Sequence, residues 1–366
     1  MATGHAKTTP GEIVLAGGYG RVGRAVAARL APLYPDRVVV AGRSAEKARE
    51  AAAEIGHGCR GTRLDTAEGV APAGASTVIM CLDQFDPSFA SACLVRGIAY
   101  VDISADDRIL GMIEALDKTA RRGGSAVLVD VGLAPGLTNL LARMLVDSGA
   151  DVKRLDLFVL LGAGDDHGPA AIEWTLDKFD SEFVVFEAGE PRWVRAQRET
   201  RPVDVPGRRR PALGVRFDFP EQRSLVRTLG VPTVSSWLAM LPSTVARSLR
   251  LAALAGGGEL TRRPRSRRAL LAALERGGVG TDECGVIVQA TDAGGETTEV
   301  AVLSADQSAL TASSTALMAT EAIEGRLPIG VHHSDEAIEP GGLLRALAAA
   351  GDGVRVLTTG ATTITP

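Results

Sequence analysis

The chain opens on a short apolar run over residues 12–16, broken by Gly17-Gly18-Tyr19-Gly20-Arg21-Val22-Gly23. Beyond the glycines, Val22, Val26, Leu30 and Leu33 recur at helical spacing until Pro35 ends the pattern. A buried strand, a glycine turn and a helix are predicted in that order. Residues 38–41 predict a second strand, and Ser44 is placed to cap a helix running to about Ile55, with Glu46 near its positive end. Further strands are predicted over 62–65 (the weakest), 77–81, 100–102 and 126–130, with helices over about 88–96 and 108–121. Six short apolar strands, most separated by helices, predict an α/β fold with a doubly wound parallel sheet of the Rossmann type.

After residue 136 the pattern changes. A helix carries Leu141, Met144 and Leu145 on one face, and a longer strand is predicted over 155–161. Strands over 183–186 and 192–194 face each other across Ala188-Gly189-Glu190-Pro191, and 286–290 with 298–303 predict a hairpin around Gly294-Gly295. An alanine-rich helix over 309–323 ends at Gly325. This half is expected to be an α+β domain with a mixed sheet, making a cleft at the carboxyl ends of the parallel strands, where substrate meets cofactor.

A length of 366 residues fits two domains, and 45% hydrophobic with 23% charged residues excludes a globally disordered chain. The formal charge of -4 argues against a grip on nucleic acid or anionic membrane. Arginine clusters at 208–210 and 262–268 lack interleaved aromatics and read as solvated charge. Four cysteines (Cys59, Cys81, Cys93, Cys284) make no disulfide framework and no zinc motif. His332 and His333, adjacent on a strand, point to opposite faces, so no metal is expected. Without a signal-like start or an apolar run of membrane length, a cytoplasmic protein is expected.

The Gly18-x-Gly20-x-x-Gly23 turn has the context that dinucleotide binding demands, between a strand and a helix. Gly18 permits the tight turn, Gly20 removes the Cβ that would block a pyrophosphate, and Gly23 lets helix and strand pack closely. The backbone N–H groups and helix dipole then face the anion. NAD sites place a carboxylate near the end of the second strand. Here that strand ends Ala41-Gly42-Arg43-Ser44, whose guanidinium and hydroxyl suit a 2′-phosphate, so NADP(H) is the expected cofactor.

Five segments resemble the saccharopine dehydrogenase-like family, in its saccharopine reductase and carboxynorspermidine dehydrogenase branch: 17–23, Ala99-Tyr100-Val101-Asp102-Ile103-Ser104, Gly132-Leu133-Ala134-Pro135-Gly136, Ile172-Glu173-Trp174-Thr175, and Gly330-Val331-His332-His333 with the stretch to Leu347. The resemblance implies a discontinuous NADP-binding domain (1–135 with 328–366), a substrate-binding and dimerisation domain (136–327), and a homodimer. It implies NAD(P)-linked formation or cleavage of a secondary amine through an imine. By position, Gly18, Tyr19, Gly20, Arg21, Val22 and Gly23 would hold the pyrophosphate, and Arg43 and Ser44 the 2′-phosphate. Asp65 would lie near the adenine, and Cys81, Leu82 and Ser104 on the nicotinamide side. Gly132, Ala134, Trp174 and Thr175 would face substrate. One departure stands out: the family's saccharopine reductases commonly carry an acid where this chain has Ala134.

Two residues are candidates for proton handling. Asp102 follows the fifth strand and reads equally as an acid–base group or as an acceptor for loop N–H groups. His167, in the polar turn Asp165-Asp166-His167-Gly168, titrates near neutrality or is a surface turn residue. Asp86-Pro87 reads as a helix start, and Cys81 as a small buried residue without a histidine partner. The expected function is an NADP(H)-dependent oxidoreductase acting on a small-molecule C=N bond. Reduction of C=C or C=O, or NADP binding without turnover, are the alternatives.

Overall fold

The computed structural model describes residues 11–164, 168–256, 258, 261, 263, 265–268, 280–350 and 353–359. The chain divides into two compact units, Met1–Leu140 with Thr311–Ala350, and Leu141–Leu310 with Gly351–Pro366.

The first unit alternates strands and helices: β1 (Glu12–Ala16), α1 (Arg21–Leu30), β2 (Val38–Gly42), α2 (Ala45–Ile55), β3 (Arg60–Arg63), β4 (Ala75–Met80), α3 (Ser88–Val95), β5 (Ala99–Asp102), α4 (Asp107–Glu114), α5 (Asp117–Gly123), β6 (Ala126–Val129) and the start of α6 (Thr138–Asp147). A return strand, Gly330–His333, pairs with β6. Every pairing in this sheet is parallel, in the order return strand, β6, β5, β4, β1, β2, β3. The strands other than the edge strand β3 are largely apolar runs because helices cover both faces of such a sheet. Val14, Val39, Val78, Tyr100 and Val127 share a core with Phe89, Leu94, Ile109 and Ile113 from the helices. Burying each α4 isoleucine contributes roughly 1.5–3 kcal/mol. The order reverses between β1 and β4, which makes the carboxyl ends of those strands the natural ligand position.

Two local expectations shift. The weak third strand lies at Arg60–Arg63, because Asp65 instead caps the short helical turn Thr66–Glu68. The helix expected over 108–121 is two helices, α4 and α5, with Leu116 as the second one's cap.

The second unit is a mixed sheet in the order Thr200–Val203, Ala212–Arg216, Thr233–Leu241, Val152–Gly162, Cys284–Asp292, Thr297–Ser304, Arg355–Thr359. Thr233–Leu241 and Val152–Gly162 run parallel, and the other neighbours antiparallel. The predicted hairpin forms as Glu182–Glu187 with Glu190–Arg195, its turn made by Ala188 and Gly189 at φ 53° and 83°. The tail departs from the expectation that 328–366 would all join the nucleotide domain. Arg355–Thr359 extends the second sheet, antiparallel to Thr297–Ser304, a distant edge pairing with no local sequence signal.

Candidate functional site

The turn after β1 is built from backbone. A Cβ on Gly18 would meet the Leu15 carbonyl oxygen at 2.9 Å, and one on Gly23 would sit 2.5 Å from the Gly17 oxygen and 2.9 Å from the Gly18 Cα. These two glycines let α1 close onto β1. A Cβ on Gly20 would meet nothing but the Gly17 oxygen, at 3.1 Å, and would otherwise stand in open space before the turn. That space leaves room for a diphosphate to approach the turn, so the residues present fit the group. Gly20 is the N-cap of α1 and supplies no side chain, so the first-turn N–H groups keep the anion-binding geometry of a bare helix start.

Tyr19 lays its ring against Gly42, where a Cβ would fall 2.4 Å from the ring. Arg43 is exposed at the end of β2 and engages no partner among the described residues. Ser44 Oγ accepts from the Lys47 N–H at 3.3 Å and caps α2. Asp65 Oδ1 accepts from the Ala67 N–H at 3.2 Å.

At the end of β4, Leu82 lies against Gly17, and Asp86 accepts from the Ser88 N–H at 2.8 Å, an ordinary helix start. Burial and the nearby Asp102 carboxylate push the Cys81 thiol up to about 12, which leaves no nucleophilic thiolate at neutral pH. Asp102 is fully buried: Oδ1 accepts from the Ser104 N–H at 2.7 Å and Oδ2 from Gln84 Nε2 at 2.7 Å, while the Tyr100 hydroxyl donates to Gln84 Oε1 at 2.9 Å. Burial raises Asp102 to about 6, against the two hydrogen bonds that favour its ionised form. This geometry favours the loop-acceptor reading of Asp102.

The turn after β6 is built differently. Asp130 holds φ 56°, and Gly132 and Gly136 have φ 134° and 129°. Asn139 Nδ2 donates to Asp130 Oδ2 at 3.0 Å and to Asp335 Oδ1 at 3.1 Å, and Asn139 Oδ1 accepts from the Gly136 N–H at 3.0 Å. His333, at the end of the return strand, sets Nδ1 2.8 Å from Asp130 Oδ2 and Nε2 3.1 Å from Glu114 Oε1. Burial alone would lower the His333 pKa, but these two carboxylates outweigh it and raise it to about 10. Ala134 is half-buried on this turn.

In the second unit, Trp174 lies on the helix Gly168–Lys178 and packs its indole 5.6 Å from Phe217 and 5.5 Å from Phe219. Thr175 follows it and is half-buried, while His167 lies outside the described residues. Among the described residues no group of His, Cys, Asp and Glu has metal-holding geometry, and no helix is long and apolar enough to cross a membrane.

Residues 13–128 match the family model for the saccharopine dehydrogenase NADP binding domain. This stretch belongs to that family. The family recognised in the sequence is thereby borne out for the nucleotide domain. No curated protein sequence matches the chain. The fold is shared with apo saccharopine dehydrogenase (L-Glu forming) from Saccharomyces cerevisiae at 15% identity, covering 96% of this chain and 100% of that one, with a TM-score of 0.66. A myo-inositol dehydrogenase from Corynebacterium glutamicum is 13% identical over 97% of this chain and 100% of that one, at a TM-score of 0.44.

In this saccharopine dehydrogenase-type domain the cofactor is NADP(H), and the absence of a carboxylate at the end of β2 agrees with it. The glycine turn, Arg43, Ser44 and Leu82 gather at the carboxyl ends of β1, β2 and β4 in one unit. Sequence reasoning missed the Asp130, Asn139, Glu114 and His333 cluster. A signal was present, since Asp130 follows β6 as Asp102 closes β5.

Proposed function

We propose that this chain is an NADP(H)-dependent oxidoreductase that reduces the C=N bond formed between an amine and a carbonyl compound. The observation that carries the oxidoreductase assignment is the family match over residues 13–128, together with a fold shared across the whole chain with a saccharopine dehydrogenase. In the proposed reaction, amine and carbonyl condense with loss of water, and a hydride and a proton then give the secondary amine. Bound NADPH supplies that hydride.

The chain's own residues bind and orient. The 18–23 turn holds the diphosphate, with the N–H groups at the start of α1 facing it, Arg43 and Ser44 hold the 2′-phosphate, and Cys81 and Leu82 border the nicotinamide side. Ser104, on the loop after β5, completes the nicotinamide side, its N–H donated to Asp102, and Asp102 acts by shaping that loop. The 131–137 turn, with Gly132 and Ala134, faces substrate, and Trp174 and Thr175 belong to the substrate-binding unit.

Ala134 supports a second reading. The turn carries no acid of its own to meet an ammonium group, which suits reduction of C=O or C=C on a neutral intermediate. Titration with NADPH and NADH tests the cofactor assignment, with tighter NADPH binding expected; failure of both to bind overturns it. Panels of amines with keto acids or aldehydes should then consume NADPH and give products that retain nitrogen. Products without nitrogen from the amine favour the second reading, and NADPH binding without consumption across the panels overturns both.

A further inference from the structure

The returning segment of the first unit reaches the 131–137 turn and the residues that flank it, Asp130 and Asn139, at three points. His333 meets Asp130, Asp335 accepts from Asn139, and Ser314 Oγ donates to the Gly132 carbonyl oxygen at 3.0 Å. Within the turn, Asn139 accepts from Gly136 N–H and the Leu137 N–H donates back to the Gly132 oxygen at 3.0 Å. Both protons of the Asn139 amide are used, one on Asp130 and one on Asp335.

Both ring nitrogens of His333 face carboxylates, Asp130 just after β6 and Glu114 at the end of α4, with Asp335 adding a further negative charge nearby. A neutral imidazole has one donor and one acceptor, and an ionised carboxylate offers no proton to accept. The doubly protonated ring therefore satisfies this geometry. A buried ion pair adds little net stability over apolar packing of the same volume; what it supplies here is a fixed position. The position fixed is that of Asp130, whose left-handed backbone starts the turn.

We propose that His333 is a positioning residue: acting through Asp130 and Asn139, and together with Ser314, it fixes the 131–137 turn, so that the returning segment shapes the substrate side of the site while the β1 turn holds the cofactor. The substrate half of this statement rests on the proposed function.

The experiment uses the full chain and the variants His333→Gln, Glu114→Gln and Ser314→Ala. Nitrogen-15 histidine spectra should show His333 still doubly protonated above neutral pH, and this signal should vanish in His333→Gln. Amide exchange in peptides covering 131–140 should quicken by roughly tenfold in His333→Gln and by less in Ser314→Ala, with peptides over 17–24 unchanged. NADPH affinity should stay within about twofold. With any substrate pair that the wild type turns over, kcat/KM should fall roughly tenfold or more, as expected for a displaced positioning element. A His333 signal that titrates near neutrality, unchanged exchange over 131–140, or exchange that quickens equally over 17–24 overturns the proposal. If His333→Gln does not fold, Glu114→Gln decides: it keeps the Asp130 contact, and it should make His333 lose its proton at lower pH and quicken the turn's exchange. Absence of both effects overturns the proposal. Failure of the wild type to bind NADPH overturns the functional reading, which the exchange and histidine measurements leave separate.

Discussion

Two glycine turns leave the carboxyl edge of the same parallel sheet, one after β1 and one after β6, and they are held in opposite ways. The first is tied by backbone to backbone: Gly18 N–H donates to the Leu15 and Ala41 oxygens, and Gly20 N–H to the Gly17 oxygen. Its shape follows from the absence of side chains. The second is tied by side chains, Asn139 from the next helix and His333 and Ser314 from nearly two hundred residues further along. A turn that must let an anion approach the N–H groups of the helix behind it keeps its surroundings small. A turn that starts from Asp130, a non-glycine residue in the left-handed region, is held by an external clamp.

The largest expected effect breaks the second turn. Asp130→Asn removes one partner of a buried charge pair and should cost about 3–5 kcal/mol in denaturant unfolding. A cost below about 1 kcal/mol would mean that the clamp holds little. His333→Gln sharpens the point through pH. The folded-state pKa is raised from 6.5 to about 10, so the stability it contributes is fully present below pH 6.5 and is lost as pH rises through about 10. The gap in stability between wild type and His333→Gln should therefore narrow across that window; a gap that stays constant contradicts a charged ring.

The first turn breaks by crowding. Gly23→Ala sets a Cβ against backbone of Gly17 and Gly18, which cannot swing aside, and should cost about 1–3 kcal/mol. Gly20→Ala should leave the melting temperature nearly unchanged and weaken NADPH roughly tenfold, or about 1.4 kcal/mol, by isothermal titration. Equal NADPH binding would mean that the diphosphate does not pass over Gly20. The smallest effect is at Arg43, an exposed charge: Arg43→Ala should weaken NADPH by about 0.5–1 kcal/mol and leave NADH binding unchanged. Equal loss for both cofactors would remove Arg43 from the 2′-phosphate.

The same contrast explains what the sequence made legible. The strand, glycines and helix start that shape the β1 turn follow one another over residues 12–30, and the missing acid comes in the next strand's end at Arg43, so they could be read in order. The clamp on the β6 turn joins Asp130 to a histidine on another strand, and no local pattern marks that pairing. Strand alternation correctly separates His332 from His333 but says nothing of the carboxylates waiting beside the second ring. Asp102 was visible as a strand-end acid. Its burial, and its bond to Gln84 in the loop after β4, depend on β4 and β5 lying side by side. The break between α4 and α5 falls at Ala115-Leu116, where neither proline nor glycine announces it.

The tail strand Arg355–Thr359 has a practical consequence. It covers the edge of Thr297–Ser304, although Thr311–Ala350, shortly before it, belong to the other unit. No single cut can excise either unit whole, and a deletion at about residue 350 would uncover a row of unpaired peptide groups, an invitation to aggregation. Shortened versions meant for crystallisation should therefore retain the chain through Thr359.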